Sequence, residues 1–320
     1  MDSTAHPGGK VAVGIDIGAT NTKIGLVDST GSMLAHQTIP SNLKASSPQP
    51  FLEQAYAIVE GYLEAHPASG IGIALCSLVN EAHTGSFLSV NAPALDGLDI
   101  QAAFAQRFGL PVRVINDTAA YALAEYHFGL GGGARRLLCL ALGTGLCIAV
   151  LYDGRFVENW GGVTADAARV ILDPVSQYRC QAGVRGSAEA LLGTAYIESE
   201  AAAISGIQGR RAYELIAAAR RGDDPIACRV LAQVGEHAGH LLALLSPVFF
   251  PQRILVTGGT AEAGEALFEP MRRRYQELIG AYLTEIARLE TGTARPVEIV
   301  KGALGPDAAA LGAALPFLTP

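Results

Sequence analysis

The sequence contains few charged residues, no cluster of basic residues and no long apolar run. Of its 320 residues only 17% are charged, and the net charge is −7, which argues against nucleic acid as the main partner. No run reaches the ~18–20 apolar residues that a membrane span needs, and residues 1–10 are polar, without an apolar signal segment. These absences predict a cytoplasmic protein that binds neither nucleic acid nor a membrane.

Cysteine is scarce and shows no metal-binding or disulfide pattern. The number of cysteines is odd, and no two of them form a CxxC pair. Most lie in apolar runs, as buried free thiols do. They are Cys76, Cys139, Cys147, Cys180 and Cys228. Scattered thiols of this kind are typical of a reducing compartment. Because half of the residues are apolar, the chain has enough material for two domains with large cores.

A strand–turn–strand unit near the start of the chain is the most informative feature that is present. Apolar residues predict a buried strand over 11–17, followed by a tight turn at Gly18–Asn21 and a returning strand over 22–27. Asp16 lies near the end of the first strand, where a buried carboxylate is costly unless it is paired or binds a metal. The small and hydroxyl residues of the turn would let backbone N–H groups approach a phosphate. An ordinary hairpin with a capping aspartate is the alternative.

The same unit recurs in the middle of the chain. Two strands are predicted over 136–142 and 146–151, around Gly143-Thr144-Gly145, and Asp153-Gly154 forms the turn to a third strand. This duplication is the strongest structural signal in the sequence, although hairpins with glycine turns are common. Apolar patterns elsewhere predict strands over 71–79 and 85–90 and helices over 49–65, 188–205 and 262–284. Because strands and helices alternate, we predict an α/β fold with a largely parallel sheet in each half, and a domain boundary in the glycine-rich loop 129–134.

A third glycine turn and a second carboxylate complete the predicted site. Gly258-Gly259 follows an apolar strand, so three such turns would hold a nucleoside triphosphate, with Mg2+ near Asp16. None of the turns has the Walker or the dinucleotide-binding pattern. Asn116-Asp117 ends another strand, where a carboxylate can take the proton of a hydroxyl that attacks the γ-phosphate. Alternatively, these two residues serve only to cap the N-terminus of the following helix through an Asn or Asp side chain.

Taken in order, these motifs resemble those of the ROK family of sugar kinases, within the actin/hexokinase/Hsp70-like ATPase superfamily. Residues 16–25 and 143–145 with 153–154 are similar to the two phosphate loops, 115–120 to the catalytic segment, 254–267 to the adenosine segment and 302–314 to the closing helix. The resemblance implies a duplicated, ribonuclease H-like fold of two lobes with a cleft between them. The N-terminal lobe would comprise residues 1–121 and 305–320, and the C-terminal lobe residues 122–304.

The resemblance also implies ATP-dependent phosphorylation of a hexose or related sugar by a homodimer, with ATP and Mg2+ as cofactors. Asp117 would be the general base, and Asp16 would position the metal. The nucleotide would be bound by Gly18, Thr20, Asn21, Lys23, Gly143, Thr144, Gly145, Gly258 and Gly259. The sugar would be bound by Asn91, Asn116, Asp117, Asn159 and Glu189. For Asn159 a turn cap, and for Glu189 a favourable charge in the first turn of a helix, are the alternatives.

The part of the chain expected to face the sugar departs from the family pattern. Cys76-Ser77 replaces a usual Pro-Gly pair, and Asn159-Trp160-Gly161-Gly162 replaces the segment that carries a sugar-contacting, zinc-ligating histidine. Cys180 is the only one of three usual thiols that remains, so we expect no structural zinc. Trp160 could close over a sugar ring or anchor a loop.

These departures leave two alternatives to an ATP-dependent hexokinase. One is a catalytically degenerate, sugar-binding regulator. A DNA-binding version is disfavoured because only ten residues precede the first predicted strand. The other is a kinase that uses polyphosphate or a non-hexose acceptor.

Overall fold

The computed structural model describes residues 9–44, 47–87 and 89–318. The predicted polar start (residues 1–8), the end of the predicted N-terminal lobe (319–320) and residue 88 of a strand predicted over 85–90 lie outside these ranges. The described strands are β1 (Val11–Ile17), β2 (Asn21–Asp28), β3 (Met33–Pro40), β4 (Ile71–Leu75), β5 (Leu78–Val79), β6 (Ser86–Phe87), β7 (Val112–Asn116), β8 (Arg136–Leu142), β9 (Leu146–Tyr152), β10 (Arg155–Phe156), β11 (Arg253–Thr257) and β12 (Glu298–Lys301).

The helices lie mainly between and after these strands. They are α1 (Gln49–Ala65), α2 (Ile100–Phe108), α3 (Asp117–Phe128), α4 (Ala188–Leu192), α5 (Thr194–Ser205), α6 (Ala212–Arg221), α7 (Pro225–Phe249), α8 (Glu265–Tyr275), α9 (Ala281–Thr291) and α10 (Ala308–Leu318). None of these described helices has the length and apolar character that crossing a membrane requires.

Two five-stranded sheets have the same strand order. The first is β3-β2-β1-β4-β7 and the second β10-β9-β8-β11-β12. In the first, β1 pairs antiparallel with β2, whereas β1, β4 and β7 run parallel. In the second, β8 is antiparallel to β9 and parallel to β11. The α/β class and the duplication are confirmed. Each sheet is mixed rather than largely parallel, because the duplicated hairpin unit contributes antiparallel strands.

The chain forms two compact units. The first contains the chain up to Gly132, the segment Phe156–Thr164 and the chain from Ala303 onwards; the second contains Gly133–Arg155 and Ala165–Gly302. The division after Gly132 falls in the glycine-rich loop, whereas the predicted lobe boundary at 121/122 falls inside α3. That helix is continuous to Phe128, so it stays whole within the first unit.

Glycines allow very close packing within the first unit. α1 and α2 bury apolar side chains against one face of its sheet, and α10 packs against the other face. A Cβ atom at Gly14 would lie 1.9 Å from the carbonyl oxygen of Ala310, and one at Gly72 would lie 1.8 Å from that of Ala313. The backbone of α10 therefore lies directly on β1 and β4, the strands whose ends carry the candidate site.

In the second unit, two predicted helices differ from the observed ones. The helix predicted over 188–205 is broken at Gly193, where a Cβ atom would lie 3.0 Å from the carbonyl oxygen of Thr144. The helix predicted over 262–284 begins only at Glu265, because Gly264 has φ +63°. A π-helical turn over Gln276–Gly280 then joins α8 to α9. These differences depend on tertiary contacts and on one backbone conformation, which helical periodicity does not reveal.

Candidate active site

In the first unit, the carboxyl ends of β1, β4 and β7 lie side by side. Asp16 is in register with Ala74, and Leu75 with Asn116, so the residues that follow the strands share one edge of the sheet. Functional groups of α/β proteins commonly lie at this edge. The structure therefore brings Asp16 and Asp117 together, although they are distant in sequence.

Asn116 and Asp117 form the start of α3. Asn116 Oδ1 accepts hydrogen bonds from the N–H groups of Thr118 (2.9 Å) and Ala119 (3.2 Å), and its Nδ2 donates to the carbonyl oxygen of Ser77 (3.2 Å). The Asx helix start is thus observed, and these bonds orient the neighbouring Asp117. Asp117 Oδ1 accepts from the N–H of Thr118 at 2.7 Å.

The environment of Asp117 suits a proton acceptor. Burial, and secondly the negative charge of Asp16, raise the pKa of Asp117 to about 7, while hydrogen bonds from Thr118 and Asn116 oppose this shift. A general base works best when its pKa lies near the operating pH. Burial, and secondly the negative charges of Asp117 and Asp16, raise the pKa of the Cys76 thiol to about 12, so this neighbouring thiol stays protonated and neutral.

Asp16 is paired with Lys23 on the adjacent strand. The two residues are in register across β1 and β2, and Lys23 Nζ lies 3.5 Å from Asp16 Oδ2. Burial raises the pKa of Asp16, although the charge of Lys23 opposes this effect. Lys23 also donates a hydrogen bond to the carbonyl oxygen of Pro306.

The oxygen donors of this site fit Mg2+ bound together with a nucleotide. The described residues contain no group of three or more His, Cys, Asp or Glu side chains that could hold a metal. Mg2+ does not need such a group, because it is commonly held by one or two carboxylates with phosphates and waters. Asp16 and Asp117 provide two carboxylates whose charges disfavour one another, and a divalent cation would relieve that repulsion.

The first glycine turn is held by Ser41, a residue that no sequence motif indicated. The hydroxyl of Ser41 donates to the carbonyl oxygen of Gly18 (2.8 Å), and its N–H donates to that of Thr20 (2.8 Å). A Cβ atom at Gly18 would lie only 2.8 Å from the carbonyl oxygen of Asn21, so the turn requires glycine. Thr20 and Asn21 are exposed, and their side chains are accessible to a ligand.

The second unit brings the other two glycine turns together. Gly258 has φ +90°, and a Cβ atom there would lie 2.2 Å from the carbonyl oxygen of Leu142, so the Gly258-Gly259 turn lies against the end of β8. The Gly143–Gly145 turn follows β8 directly, with Thr144 exposed at its tip. The carbonyl oxygen of Gly143 accepts from the N–H of Thr194 at 3.1 Å.

Glu189 lies in the second unit, beside the second glycine turn. Its Oε1 accepts from Arg169 at 2.9 Å, and a Cβ atom at Gly145 would lie 2.9 Å from its Oε2. Arg169 comes from the irregular segment before α4, and its partner could not be identified from spacing alone. The arginine gives this largely buried carboxylate a fixed orientation and a compensating charge.

The other predicted sugar-binding residues lie in the first unit with Asp117. Asn91 lies in a partly exposed turn after β6. Asn159 is exposed, its side chain makes no capping hydrogen bond, and its N–H donates to the carbonyl oxygen of Val163 at 2.9 Å. Cys180, the thiol that remains of the usual cluster, is buried in the second unit.

Comparison with known proteins gives matches along nearly the whole chain. The sequence model of the ROK family matches residues 12–319. A glucokinase of Streptomyces coelicolor is 28% identical, over 95% of this chain and 96% of its own length. The crystal structure of a ROK family glucokinase from Streptomyces griseus in complex with glucose and AMPPNP is 26% identical, with a TM-score of 0.77, over 95% of this chain and 98% of that one. The DNA-binding transcriptional dual regulator NagC of Escherichia coli is 24% identical, over 80% of this chain and 65% of its own length.

Proposed function

Because this chain belongs to the ROK family, we propose that it transfers the γ-phosphate of ATP to a hydroxyl group of glucose or a related hexose. The observation that carries the proposal is the state of Asp117, whose carboxylate is fixed at the start of α3 with its pKa raised to about 7. Carboxyl groups with strongly shifted pKa values concentrate at functional sites, which favours a catalytic role for Asp117 over sugar binding alone. The similarity to glucokinases over most of the chain supports the same reaction class.

In this mechanism Asp117 accepts the proton of the sugar hydroxyl. The hydroxyl oxygen forms a bond to the γ-phosphorus, the bond from that phosphorus to the β–γ bridging oxygen breaks, and ADP leaves. Asn116 caps α3 and so holds Asp117 in place, while the N–H of Thr118 orients the carboxylate. General base catalysis of this kind contributes about 10²- to 10⁴-fold in rate.

The glycine turns would bind the nucleotide. We assign the phosphates to the backbone N–H groups of Gly18, Gly143 and Gly145, to the hydroxyls of Thr20 and Thr144, and to the side chains of Asn21 and Lys23, with Gly258 and Gly259 beside the adenosine. Mg2+, when bound with the nucleotide, would neutralise the phosphate charge that develops during transfer. Asp16 would hold this ion, directly or through water, and Lys23 favours the ionised form of Asp16.

The acceptor would be oriented from several elements. We assign hydrogen bonds with sugar hydroxyls to Asn91, Asn159 and Glu189, and Arg169 keeps the Glu189 carboxylate ready to accept them. Asn116 contributes by placing Asp117, since its own side chain is engaged with α3 and Ser77.

The test is a panel of sugars assayed with ATP and with polyphosphate by direct detection of the phosphorylated product. We expect phosphorylation of glucose or a close relative with ATP. Asp117→Ala should bind sugar with nearly unchanged affinity by calorimetry, but lose about 10²-fold or more in kcat. Asp223→Ala, an exposed carboxylate paired with Arg221, should behave like the wild type.

Three outcomes would count against the proposal. Near-normal turnover by Asp117→Ala would remove Asp117 from its role. Sugar binding without phosphorylation from either donor would favour a regulator. Phosphorylation from polyphosphate alone would replace ATP as the donor.

A further inference from the structure

The segment Phe156–Thr164 leaves the second unit and folds onto the first as a short closed loop. The hydroxyl of Thr164 donates to the carbonyl oxygen of Val157 at 2.7 Å, and the N–H of Asn159 donates to that of Val163 at 2.9 Å. These two bonds close the base of the loop. The residues at its tip, Asn159 to Gly162, stand where the family pattern would have a histidine.

This loop is held firmly against the β5–β6 hairpin. Gly161 and Gly162, with φ +74° and +65°, lie so close to the hairpin that added Cβ atoms would be 3.3 Å from Leu78 and 2.8 Å from Val79. On the other side of the loop, His83 Nε2 lies 2.8 Å from Glu158 Oε1. The backbone that carries residue 160 is therefore fixed in position.

Trp160 is exposed although its loop is well anchored. Its ring packs edge to face on Phe87, with centroids 5.2 Å apart and an angle of 71° between the planes, and the residue remains 59% exposed. A tryptophan that served only to anchor the loop would bury most of its large apolar surface. The exposed remainder of the ring has no occupant among the described residues.

A ring contact and polar contacts within the first unit link Trp160 to Asn116, the residue before Asp117. The hydroxyl of Ser77 lies 3.4 Å from the carbonyl oxygen of Phe87 and 3.3 Å from that of Leu78, and the carbonyl oxygen of Ser77 accepts from Asn116 Nδ2 at 3.2 Å. Trp160 and Asp117 are therefore connected through neighbouring residues of the first unit, with Asn159 next to Trp160 in the chain.

We propose that Trp160 is a specificity-determining residue, whose exposed ring stacks against the C–H face of a cyclic sugar. The hydroxyl groups of the sugar then bind the neighbouring polar side chains. This inference rests on the proposed kinase function and narrows its substrate class to pyranoses. A pyranose with mainly equatorial hydroxyls presents a flat patch of axial C–H groups to an aromatic ring. An acyclic polyol has no such rigid face, and the ring discriminates against it.

The test uses the intrinsic fluorescence of Trp160, which is the only tryptophan of the chain. With Asp117→Asn protein and no nucleotide, glucose should change the tryptophan emission saturably, with the same midpoint as a calorimetric titration, and glucitol should not. Trp160→Ala should raise the KM for the sugar about ten-fold and leave the KM for ATP unchanged. Trp160→Phe, which keeps an aromatic ring, should stay within about two-fold of the wild type.

Tyr213→Ala is the matched control, because Tyr213 is an exposed aromatic residue of α6 in the second unit, and its sugar KM should be unchanged. The proposal is overturned if calorimetry shows saturation with glucose while the emission stays constant, or if Trp160→Ala keeps the wild-type sugar KM. If either result is obtained while the wild-type protein still phosphorylates the sugar, the proposed kinase function stands and only the role of Trp160 is rejected. Absence of any sugar binding or phosphorylation would overturn both.

Discussion

Asp117 is a carboxyl group whose burial works against folding at neutral pH. Its pKa is about 7 in the folded protein, against an ordinary value of 3.8, so the folded state binds the proton more tightly than the unfolded state does. Stability therefore falls as the pH rises from about 4 to about 7 and then stays at the lower level. The full penalty is about 4 kcal/mol at most.

We expect Asp117→Asn to remove this penalty. The variant should be more stable than the wild type at about pH 8, and the difference should shrink towards zero below about pH 3, where the wild-type carboxyl is protonated in both states. Over the same range, wild-type kcat/KM should rise with pH through about 7, because only the ionised carboxylate accepts a proton. Thermal unfolding and initial rates across the pH series measure both effects. A stability difference that does not depend on pH would contradict this account.

Single residues could be predicted from the sequence where the local pattern carries the information. The position of Asp117 was predicted because a strand end and a helix start meet there. Ser41 and Arg169 were missed, since their importance depends on partners 23 and 20 residues away. Nothing in the spacing of either residue indicates which backbone or carboxylate group it will meet after folding.

At the level of elements, α10 is held by contacts that only glycine permits. Gly312 faces α3, and a Cβ atom there would lie 1.7 Å from the carbonyl oxygen of Ala120. Since Ala120 belongs to the first turn of the helix that Asp117 begins, the packing of α10 supports the position of Asp117. Displacing α10 would move β1 and β4 as well, whose glycines lie against it.

We expect Gly312→Ala to destabilise the protein by about 1–3 kcal/mol, because the new methyl group overpacks the contact between α10 and α3. In an exposed helix the same change is stabilising by about 1 kcal/mol. Gly61→Ala is the matched control, since Gly61 lies in α1 and a methyl group added there would have no atom within 4 Å. Urea unfolding should show opposite signs for the two variants. A stabilised Gly312→Ala protein would disprove the close contact.

Most elements were predicted closely because their apolar periodicity is undisturbed, as in α1 and β8. The exceptions have specific causes. The strand predicted over 71–79 ends at Leu75 and resumes as the short β5, since the chain bends at Cys76-Ser77, where the carbonyl oxygen of Ser77 accepts from Asn116 Nδ2. The break at Gly193 follows from its contact with Thr144, a residue far away in the sequence.

At the scale of the whole molecule, the family and its actin/hexokinase-like fold were recognisable from four ordered motifs, and the match over residues 12–319 confirms them. The division of the chain was harder to predict. The segment Phe156–Thr164 is continuous in sequence with the second unit, yet it belongs to the first. The glycines and Trp160 of this segment predict an irregular loop. They do not indicate that the loop packs on the β5–β6 hairpin.

Near two of the points where the chain crosses between the units, backbone N–H groups donate to the same buried carboxylate. The chain enters the second unit after Gly132 and returns after Gly302. Close to these points, the N–H groups of Leu130 and Leu304 donate to Glu125 Oε2 (2.9 Å) and Oε1 (2.7 Å). Tyr121 also donates to Oε1 at 3.0 Å. Glu125 is completely buried and belongs to α3. Its carboxylate therefore bonds both connecting segments of the backbone to a helix of the first unit.

We therefore expect Glu125→Gln to loosen both connections at once. A glutamine has one acceptor oxygen, and its NH2 group would face an N–H donor, which leaves a buried group unsatisfied at a cost of about 1–3 kcal/mol. Hydrogen exchange should quicken in the peptides that contain Leu130 and Leu304, which are far apart in sequence, while the β1 and β4 peptides keep their protection. Glu53→Gln, at an exposed position of α1, should leave exchange unchanged everywhere. If the two peptides of the Glu125 variant exchange at wild-type rates, the carboxylate does not hold the connections, and the backbone there must be fixed by the glycine-rich loop and α10 alone.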